Sequence, residues 1–274
     1  MPKRLKEYLD FLELEGPDNI NLPLFHVCTQ DKLMDYLSER KIIESKECEV
    51  FQKKIIYTFY GASKYKGKEI TKVGSVGDRS VCLILDIEHC PNIISIYPLD
   101  TGVASGTVED IRPYPIKWDR IKGKMNLGNQ KSRINAFILN CFMTLEDYID
   151  GKYLKALIDE TKLNSKFDAP SDVSQFSDMH KIITDQSIGD NRRYCFEVHF
   201  DCELEIKPQL VKGVIVSSDL LLNKSFKALL EKYRVDETVG GNSLFYPSSV
   251  ESNYDIEEFM KDISIKFTKS ILAN

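Results

Sequence analysis

The spacing of hydrophobic residues changes along the chain, and each change predicts a different element of secondary structure. Apolar residues three and four positions apart predict an amphipathic helix over residues 3–15. A short apolar run over 22–28 then predicts a buried strand. Thr29 follows that run and is suited to cap the next helix, because its hydroxyl can accept a hydrogen bond from an unpaired backbone N–H. The first elements predicted are therefore helix, strand and helix.

Residues that favour strands, chiefly β-branched and aromatic ones, are concentrated in a further group of segments. These segments are 50–60, 81–87, 93–97, 193–200 and 211–216. Helical spacing covers 131–163, with a break near Gly151, and also 218–233 and 254–272. Glycine, proline and polar residues predict loops over 64–78, 100–117 and 165–177. Strands and helices do not alternate regularly, which predicts an α+β fold in a single domain over 1–274, with a mostly helical insert at 128–185.

The composition is that of an ordinary globular protein, with 42% apolar and 29% charged residues. The net charge of -5 argues against a dedicated nucleic-acid coat, although lysines between 53 and 72 leave a local basic patch open. No apolar run reaches the length of a membrane span and no secretory signal is recognisable, so we expect a cytoplasmic protein without a membrane partner. Seven cysteines without a Cys-x-x-Cys pair suit reduced thiols rather than a structural zinc site.

His26 lies inside the apolar run over 22–28, where a buried imidazole needs a hydrogen-bond partner. One interpretation is a core histidine whose partner is supplied by the fold. The other is a ring that points into a cleft and holds a ligand hydroxyl. Thr29 would add a second polar contact in that cleft, although its capping role explains it equally well.

Tyr57, Tyr60 and Tyr65 surround the end of the predicted strand over 50–60 and the turn after Gly61. A tyrosine offers a flat apolar face and a polar tip, which suits stacking on a planar ring. Packing in the core explains these aromatics as well. Since side chains alternate along a strand, Tyr57 and Tyr60 should point to opposite faces. The pattern leaves open which face meets a cleft.

Residues 193–200 alternate between an apolar and a polar face, and the polar face carries Cys195, Glu197 and His199. One interpretation is a half-exposed strand with an ordinary polar outer face. The functional interpretation directs the carboxylate of Glu197 into a cleft. There it would stabilise positive charge on a sugar or bind a sugar hydroxyl.

The order of His26, the tyrosines of 57–65 and Glu197 resembles the ADP-ribosyltransferase superfamily, in the His-Tyr-Glu branch with diphtheria-toxin-like and poly(ADP-ribose) polymerase-like folds. Phe25–Thr29 followed by a helix resembles the opening of its DNA-modifying members. Residues 96–102 and 190–197 resemble segments of a family of uncharacterised bacterial proteins. The chain departs from the superfamily pattern because no glycine follows His26. It also has Cys195, and not Glu or Gln, two positions before Glu197.

The resemblance implies a split mixed or antiparallel sheet with flanking helices, and it implies NAD as the cofactor that is consumed, without a metal. His26 would bind a ribose hydroxyl with help from Thr29, and Tyr57, Tyr60 or Tyr65 would stack on nicotinamide. Glu197 would stabilise the oxocarbenium-like state as nicotinamide leaves. ADP-ribose would pass to a macromolecular acceptor, with nucleic acid and protein both open, or NAD would simply be cleaved. A bacterial toxin or defence effector is the implied setting.

Three other classes of function fit the same residues. A binding module without catalysis would use the tyrosines as anchors for a nucleotide or a partner protein. A cysteine enzyme would use Cys28, which shares a strand face with His26 and precedes a predicted helix. A metal site would use polar residues within 86–90, although that spacing at the end of a strand more simply predicts a turn.

Overall fold

The structure, a computed structural model, describes residues 20–48, 50–63, 79–91, 93–104, 125–152, 183, 191–233, 235–236, 242–245 and 253–273. Their contacts divide into two compact units. The sheet unit lies within Asn21–Cys48, Lys53–Asn92 and Phe200–Asn274. The other unit, called the strand-pair unit here, lies within Glu49–Gln52 and Ile93–His199 and includes Ile20. The helix predicted over 3–15, the loops predicted over 64–78 and 165–177, and Tyr65 lie outside the described residues.

Helices and strands are mixed along the described chain, which confirms the predicted α+β fold. The strands are β1 (Leu24–Thr29), β2 (Ile42–Ile43), β3 (Lys46–Cys48), β4 (Lys53–Tyr60), β5 (Ser80–Leu85), β6 (Ser95–Tyr97), β7 (Glu197–Phe200), β8 (Leu204–Glu205), β9 (Val211–Ile215), β10 (Val235–Asp236) and β11 (Asn242–Phe245). The α-helices are α1 (Gln30–Asp35), α2 (Thr101–Ala104), α3 (Ser132–Phe142), α4 (Leu145–Ile149), α5 (Lys224–Lys232) and α6 (Asn253–Leu272). Helix α1 continues as a π-helical turn over Tyr36–Arg40.

The sheet unit is built on a mixed sheet in the order β10-β11-β9-β5-β1-β4. The pairings of β10 with β11 and of β11 with β9 are parallel, and the pairings that follow them in this order are antiparallel. Strand β3 pairs with β4, and β2 forms a separate two-stranded sheet with β8. Strand β1 is central because it pairs with β5 on one side and β4 on the other, and it has buried apolar residues on both faces.

Helices cover both faces of the sheet around β1. The register of β1 with β5 places Thr29 opposite Ser80, and alternate residues of each strand share a face. On the face of His26, the ring of Tyr36 from the π-helical turn lies 6.3 Å from the imidazole, centre to centre. On the opposite face, the hydroxyl of Ser80 donates to Glu257 of α6 across 3.3 Å. The alternating pattern of β1 thus serves two helical layers.

Polar contacts from α6 hold the turn that follows β4. The hydroxyl of Thr268 donates to the carbonyl of Gly61 across 2.7 Å, and the hydroxyl of Ser264 accepts from the N–H of Ser63 across 3.0 Å. Both hydroxyl-bearing residues are fully buried. Gly61 has φ of 75°, in the left-handed region that glycine adopts without strain. The predicted break of the strand at Gly61 is therefore confirmed.

The strand-pair unit is organised by an aromatic core beside the antiparallel pair β6 and β7. Phe137 and Phe142 of α3 and Tyr148 of α4 pack edge to face with one another or with Phe196. The hydroxyl of Tyr148 accepts a hydrogen bond from the N–H of Phe196 across 3.2 Å. This bond fixes the chain just before β7 begins.

The structure corrects the bounds of several predicted elements. The loop predicted over 100–117 contains α2 in its described part, 100–104, and the helix predicted over 131–163 is already divided between α3 and α4, with 153–163 outside the described residues. The strand predicted over 193–200 begins only at Glu197, because Asn191–Arg193 form a 3-10 turn. The helix predicted over 218–233 is divided at Asn223, whose side chain accepts from the N–H groups of Ser225 and Phe226 and so starts α5. In the part of the chain that the structure describes, no helix is both long enough and apolar enough to cross a membrane.

Candidate functional site

Strands β6 and β7 together build a row of polar side chains. Ser95 lies opposite His199, and Tyr97 lies opposite Glu197. Because side chains alternate along a strand, these four side chains share one face of the strand pair β6 and β7. Each of the four residues is at most 4% exposed. The interpretation of residues 193–200 as a half-exposed strand is therefore wrong, since both faces of β7 are buried.

Glu197 has a donor group next to each of its carboxylate oxygens. The backbone N–H of Thr101 donates to Oε2 across 2.6 Å. Thr101 is the first residue of α2, and the first N–H groups of a helix have no partner inside the helix. Nε2 of His199 lies 3.2 Å from Oε1, which is an ion-pair distance without the alignment of a full hydrogen bond. The carboxylate is thus fixed from two directions.

His199 is held on its other side by Ser95 and by two aromatic rings. Nδ1 of His199 lies 2.9 Å from the hydroxyl oxygen of Ser95. The ring of Phe51 meets the imidazole edge-on at 5.0 Å between centres, and the ring of Tyr97 lies 5.3 Å away. With 0% exposure, the imidazole has little room to rotate.

The charge of Glu197 is felt by Tyr97 on the paired strand. Burial raises the pKa of the Tyr97 hydroxyl well above its usual range, and the negative charge of Glu197 raises it further. Tyr97 therefore stays protonated at physiological pH. It faces the site as an uncharged ring with a polar tip.

The segments over 96–102 and 191–197 meet at Glu197. The N–H of Asp100 donates to the carbonyl of Arg192 across 3.0 Å, next to the bond from Thr101 to Glu197. Arg192 and Arg193 are only 5% and 6% exposed. Arg193 donates to the carbonyl of Ile183, and its guanidinium lies 4.8 Å from the centre of the Tyr194 ring. Two buried arginines, Arg192 and Arg193, therefore precede the buried carboxylate of Glu197 by only a few positions in the sequence.

His26 is buried at the point where β1 and β4 separate. The register pairs Phe25 with Phe59, and at the next position Nδ1 of His26 lies 2.8 Å from the carbonyl of Tyr57. A carbonyl oxygen can only accept a hydrogen bond, so Nδ1 carries a hydrogen, and Nε2 is an acceptor when the ring is neutral. The fold thus supplies one of the hydrogen-bond partners that the sequence required.

The structure does not bring Tyr57 and Tyr60, the candidate tyrosines that it describes, to one face. Since Phe25 lies opposite Phe59, the side chain of Tyr57 points to the face opposite His26, whereas Tyr60 shares the face of His26. Tyr57 is half-buried. Tyr60 is 1% exposed, and its hydroxyl accepts from the N–H of Leu22 across 3.1 Å. That contact makes Tyr60 a core residue of the sheet unit.

Thr29 stands at the N-terminal cap of α1, as the sequence predicts, but its side chain makes no capping hydrogen bond. Its hydroxyl shares the sheet face of Tyr57 and not that of His26. The sheet unit contains His26, Thr29, Tyr57 and Tyr60, whereas the strand-pair unit contains Glu197.

The cysteine-enzyme alternative loses its nucleophile in the structure. Burial raises the pKa of the Cys28 thiol to about 12, and the charges of Lys46 and Lys32 offset that effect only in part. A thiolate is therefore absent at neutral pH, whereas a nucleophilic cysteine needs one.

The segment over 86–90 forms the expected turn. Asp86 caps a 3-10 turn over Ile87–His89 by accepting from the N–H of Glu88, and it also accepts from Nζ of Lys212 across 2.9 Å. Burial acts to raise the pKa of Asp86, but the hydrogen bonds from Lys212 and Glu88 outweigh it and lower the pKa. Within the described ranges, no group of three or more histidine, cysteine, aspartate or glutamate side chains is placed to hold a metal ion.

A cavity of about 600 Å³ lies next to this turn, bounded by His89 and Pro91 and by the segment from Glu203 to Leu210. Its charged wall residues Glu203, Glu205 and Lys207 are exposed. His89 and Cys90 of the segment over 86–90 line this cavity, but none of His26, Thr29, Tyr57, Tyr60 and Glu197 does.

Sequence reasoning missed Tyr97 and Thr101 as neighbours of Glu197, and Ser95 and Phe51 as neighbours of His199. The alternation of 193–200 already placed His199 on the face of Glu197. The pairing of two strands separated by about a hundred residues was the missing information, and no local pattern contains it.

Comparison of the chain with models of protein families, with curated proteins and with solved structures finds no match. The functional assignment therefore rests on the residues and their geometry.

Proposed function

We propose that the chain is an NAD-dependent ADP-ribosyltransferase-like enzyme, which transfers ADP-ribose to a macromolecular acceptor or cleaves NAD. The observation that carries this proposal is the carboxylate of Glu197, which is 1% exposed and has a donor group beside each oxygen. An ionisable group is costly to bury, so a buried and oriented carboxylate is a candidate functional group. The sequence resemblance assigns the charge-stabilising role to this same residue.

The reaction requires an oriented negative charge. When the bond between nicotinamide and C1′ of ribose breaks, its electron pair leaves with nicotinamide and positive charge develops on the ribose. A carboxylate fixed in a medium of low dielectric stabilises that charge without first having to reorganise. An oxygen or nitrogen atom of the acceptor, or of water, then bonds to C1′ and loses its proton. Glu197 supplies the charge in this scheme.

The sheet unit contributes separate proposals for binding. Nε2 of His26 is an acceptor in the neutral ring, which suits a ribose hydroxyl that donates to it. Of the two candidate tyrosines that the structure describes, Tyr57 is half-buried and is the better candidate for stacking on nicotinamide, because Tyr60 is engaged in the core. Tyr57 and His26 lie on opposite faces of the sheet, so their roles are alternatives and not two contacts of one bound NAD. Thr29 and Tyr65 keep the NAD-binding roles that the resemblance implies. The acceptor, whether nucleic acid or protein, and the setting of a bacterial toxin or defence effector are proposals of the same kind.

The test is nicotinamide release from NAD, measured on wild type and on Glu197→Gln. We expect release by wild type and a fall of about 10² to 10³ in kcat for the variant, because one charge-stabilising group is lost. Glu205→Gln is the matched control, since the Glu205 side chain is 65% exposed and pairs only with Lys207 at 2.9 Å among the contacts described. Circular dichroism must show that both variants keep the fold. Equal rates for wild type and Glu197→Gln would remove Glu197 from the reaction.

A second candidate is a non-catalytic module that binds a nucleotide or a partner protein. The observation that favours it is burial, since none of the four residues in the row of Glu197 is more than 4% exposed. Calorimetry with NAD separates the two candidates. Binding of NAD without release of nicotinamide, unchanged in Glu197→Gln, would support the module.

A further inference from the structure

The positions of the protons along Ser95, His199 and Glu197 follow from the geometry of the row. Nδ1 of His199 lies 2.9 Å from the Ser95 hydroxyl oxygen, and Nε2 lies 3.2 Å from Oε1 of Glu197, within ion-pair distance but outside hydrogen-bond alignment. A ring nitrogen without a proton presents a lone pair, which a carboxylate at this distance repels strongly in a buried site. Nε2 therefore carries a proton. Nδ1 is then the acceptor in the neutral ring, and the Ser95 hydroxyl donates to it.

This arrangement differs from the triad of a serine hydrolase, although the residue types are similar. In such a triad the acid faces Nδ1 and the serine faces Nε2. Here the two nitrogens are exchanged, and Ser95 is only 4% exposed. Ser95 consequently acts as a hydrogen-bond donor and not as a nucleophile.

The surroundings preserve the ring orientation that this pattern needs. Phe51 and Tyr97 contact the imidazole at 5.0 Å and 5.3 Å between ring centres. Apolar side chains at these buried positions would avoid the cost of burying ionisable groups, so stability alone does not explain a row of serine, histidine and glutamate.

We propose that His199 is a positioning residue for Glu197. Ser95 selects the tautomer with the proton on Nε2, and the electrostatic attraction of that N–H for Oε1, 3.2 Å away, holds the carboxylate in place together with the hydrogen bond from the N–H of Thr101. The consequence for catalysis rests on the proposed function of Glu197. The tautomer and the orientation are properties of the fold itself and are measurable without NAD.

Long-range ¹H–¹⁵N spectra of the histidine rings test the tautomer. The chain has four histidines, so substitution of each assigns the signals. In spectra recorded at a pH where the His199 ring is neutral, we expect wild type to carry the hydrogen on Nε2 and Ser95→Ala to show a mixture of tautomers. Ser95→Thr should restore the wild-type pattern, because it keeps the hydroxyl. Ser80→Ala is the matched control, since Ser80 is a strand serine of the sheet unit that bonds to Glu257.

Carboxyl ¹³C spectra and kinetics test the effect on Glu197. In His199→Gln, an amide N–H can replace Nε2–H, so the Glu197 carboxyl shift should stay close to wild type. In His199→Asn, the shorter side chain cannot reach Oε1, so the signal should move. If wild type releases nicotinamide, kcat should fall roughly 10- to 100-fold in Ser95→Ala and His199→Asn, with KM for NAD within about twofold, and should recover in Ser95→Thr and His199→Gln.

The possible results separate the two proposals. Hydrogen on Nδ1 of His199 in wild type, or a tautomer that Ser95→Ala leaves unchanged, overturns the positioning role whatever the activity. An equal Glu197 signal in folded His199→Gln and His199→Asn also overturns it. The expected spectra in a protein that releases no nicotinamide support the positioning of Glu197 and overturn only the proposed NAD chemistry.

Discussion

The backbone N–H of Thr101 lies 2.6 Å from Oε2 of Glu197, although the two residues are 96 positions apart in sequence. Thr101 begins α2, so its N–H has no partner within that helix. The bond therefore joins the start of a short helix to a buried carboxylate. A hydrogen bond to a charged group contributes about 1.5 to 3 kcal/mol, more than a bond between neutral groups.

Replacing Thr101 with proline should weaken the fold by about 1.5 to 3 kcal/mol, because it removes the N–H that Glu197 accepts. Proline is otherwise suited to the first position of a helix, where its missing N–H is usually of no consequence. The free energy of unfolding from urea titration is the measurement. Thr101→Ala is the control, since it keeps the N–H. Equal losses in both variants would show that the threonine side chain, and not the bond to Glu197, matters here.

Much of the sheet unit could be predicted from local patterns. The apolar run before Thr29 and the strand ended by Gly61 appear in the structure as β1 and β4, and the helix predicted over 254–272 is α6, Asn253–Leu272. These segments combine length with strong periodicity, so tertiary contacts had little to override. The division of the helix predicted over 218–233 at Asn223 was not predicted, because the spacing of apolar residues does not show that the Asn223 side chain takes the capping position.

The site was less predictable because its geometry depends on pairing over long distances. Periodicity placed Glu197 and His199 on one face of a strand. It did not show whether that face is exposed to solvent or lines a cleft. Burial came from β6 and from Phe51, which no local pattern links to β7. The opposite faces of Tyr57 and Tyr60 were predictable, whereas which of them is buried was decided by the bond from Leu22 to Tyr60.

Cys28 should react with iodoacetamide very slowly in the folded protein. Its pKa of about 12 leaves about one part in 10⁴ as thiolate at pH 8, against a substantial fraction for an ordinary thiol. Mass spectrometry of labelled peptides measures this. Exposed Cys202 is the internal control and should label within minutes. Labelling of Cys28 and Cys202 at similar rates, without unfolding, contradicts the burial of Cys28.

The same shift gives the pH dependence of stability. A thiol whose pKa is higher in the folded state keeps its proton there, while the unfolded chain loses it near its ordinary pKa of about 8.5. The contribution is thus fully present below about pH 8.5 and is lost as the pH rises towards 12. Urea titrations at pH 8 and pH 10 should show a smaller loss of stability in Cys28→Ala than in wild type. An equal loss in both proteins would mean that Cys28 does not contribute to alkaline unfolding.

Replacing Met143 with glycine should stabilise the folded protein. It follows α3 with φ of 46° and ψ of -47°, a conformation that side chains with a Cβ adopt at a cost. Its side chain is 60% exposed, so little packing is lost when it is removed. We expect Met143→Gly to raise the free energy of unfolding by about 0.5 to 1 kcal/mol, since glycine takes a positive φ freely after a helix. Met143→Ala keeps the Cβ and is the control, with little or no gain expected. Stabilisation of equal size in both variants would trace the gain to the loss of an exposed apolar side chain, and the backbone strain at this position would have to be abandoned as its cause.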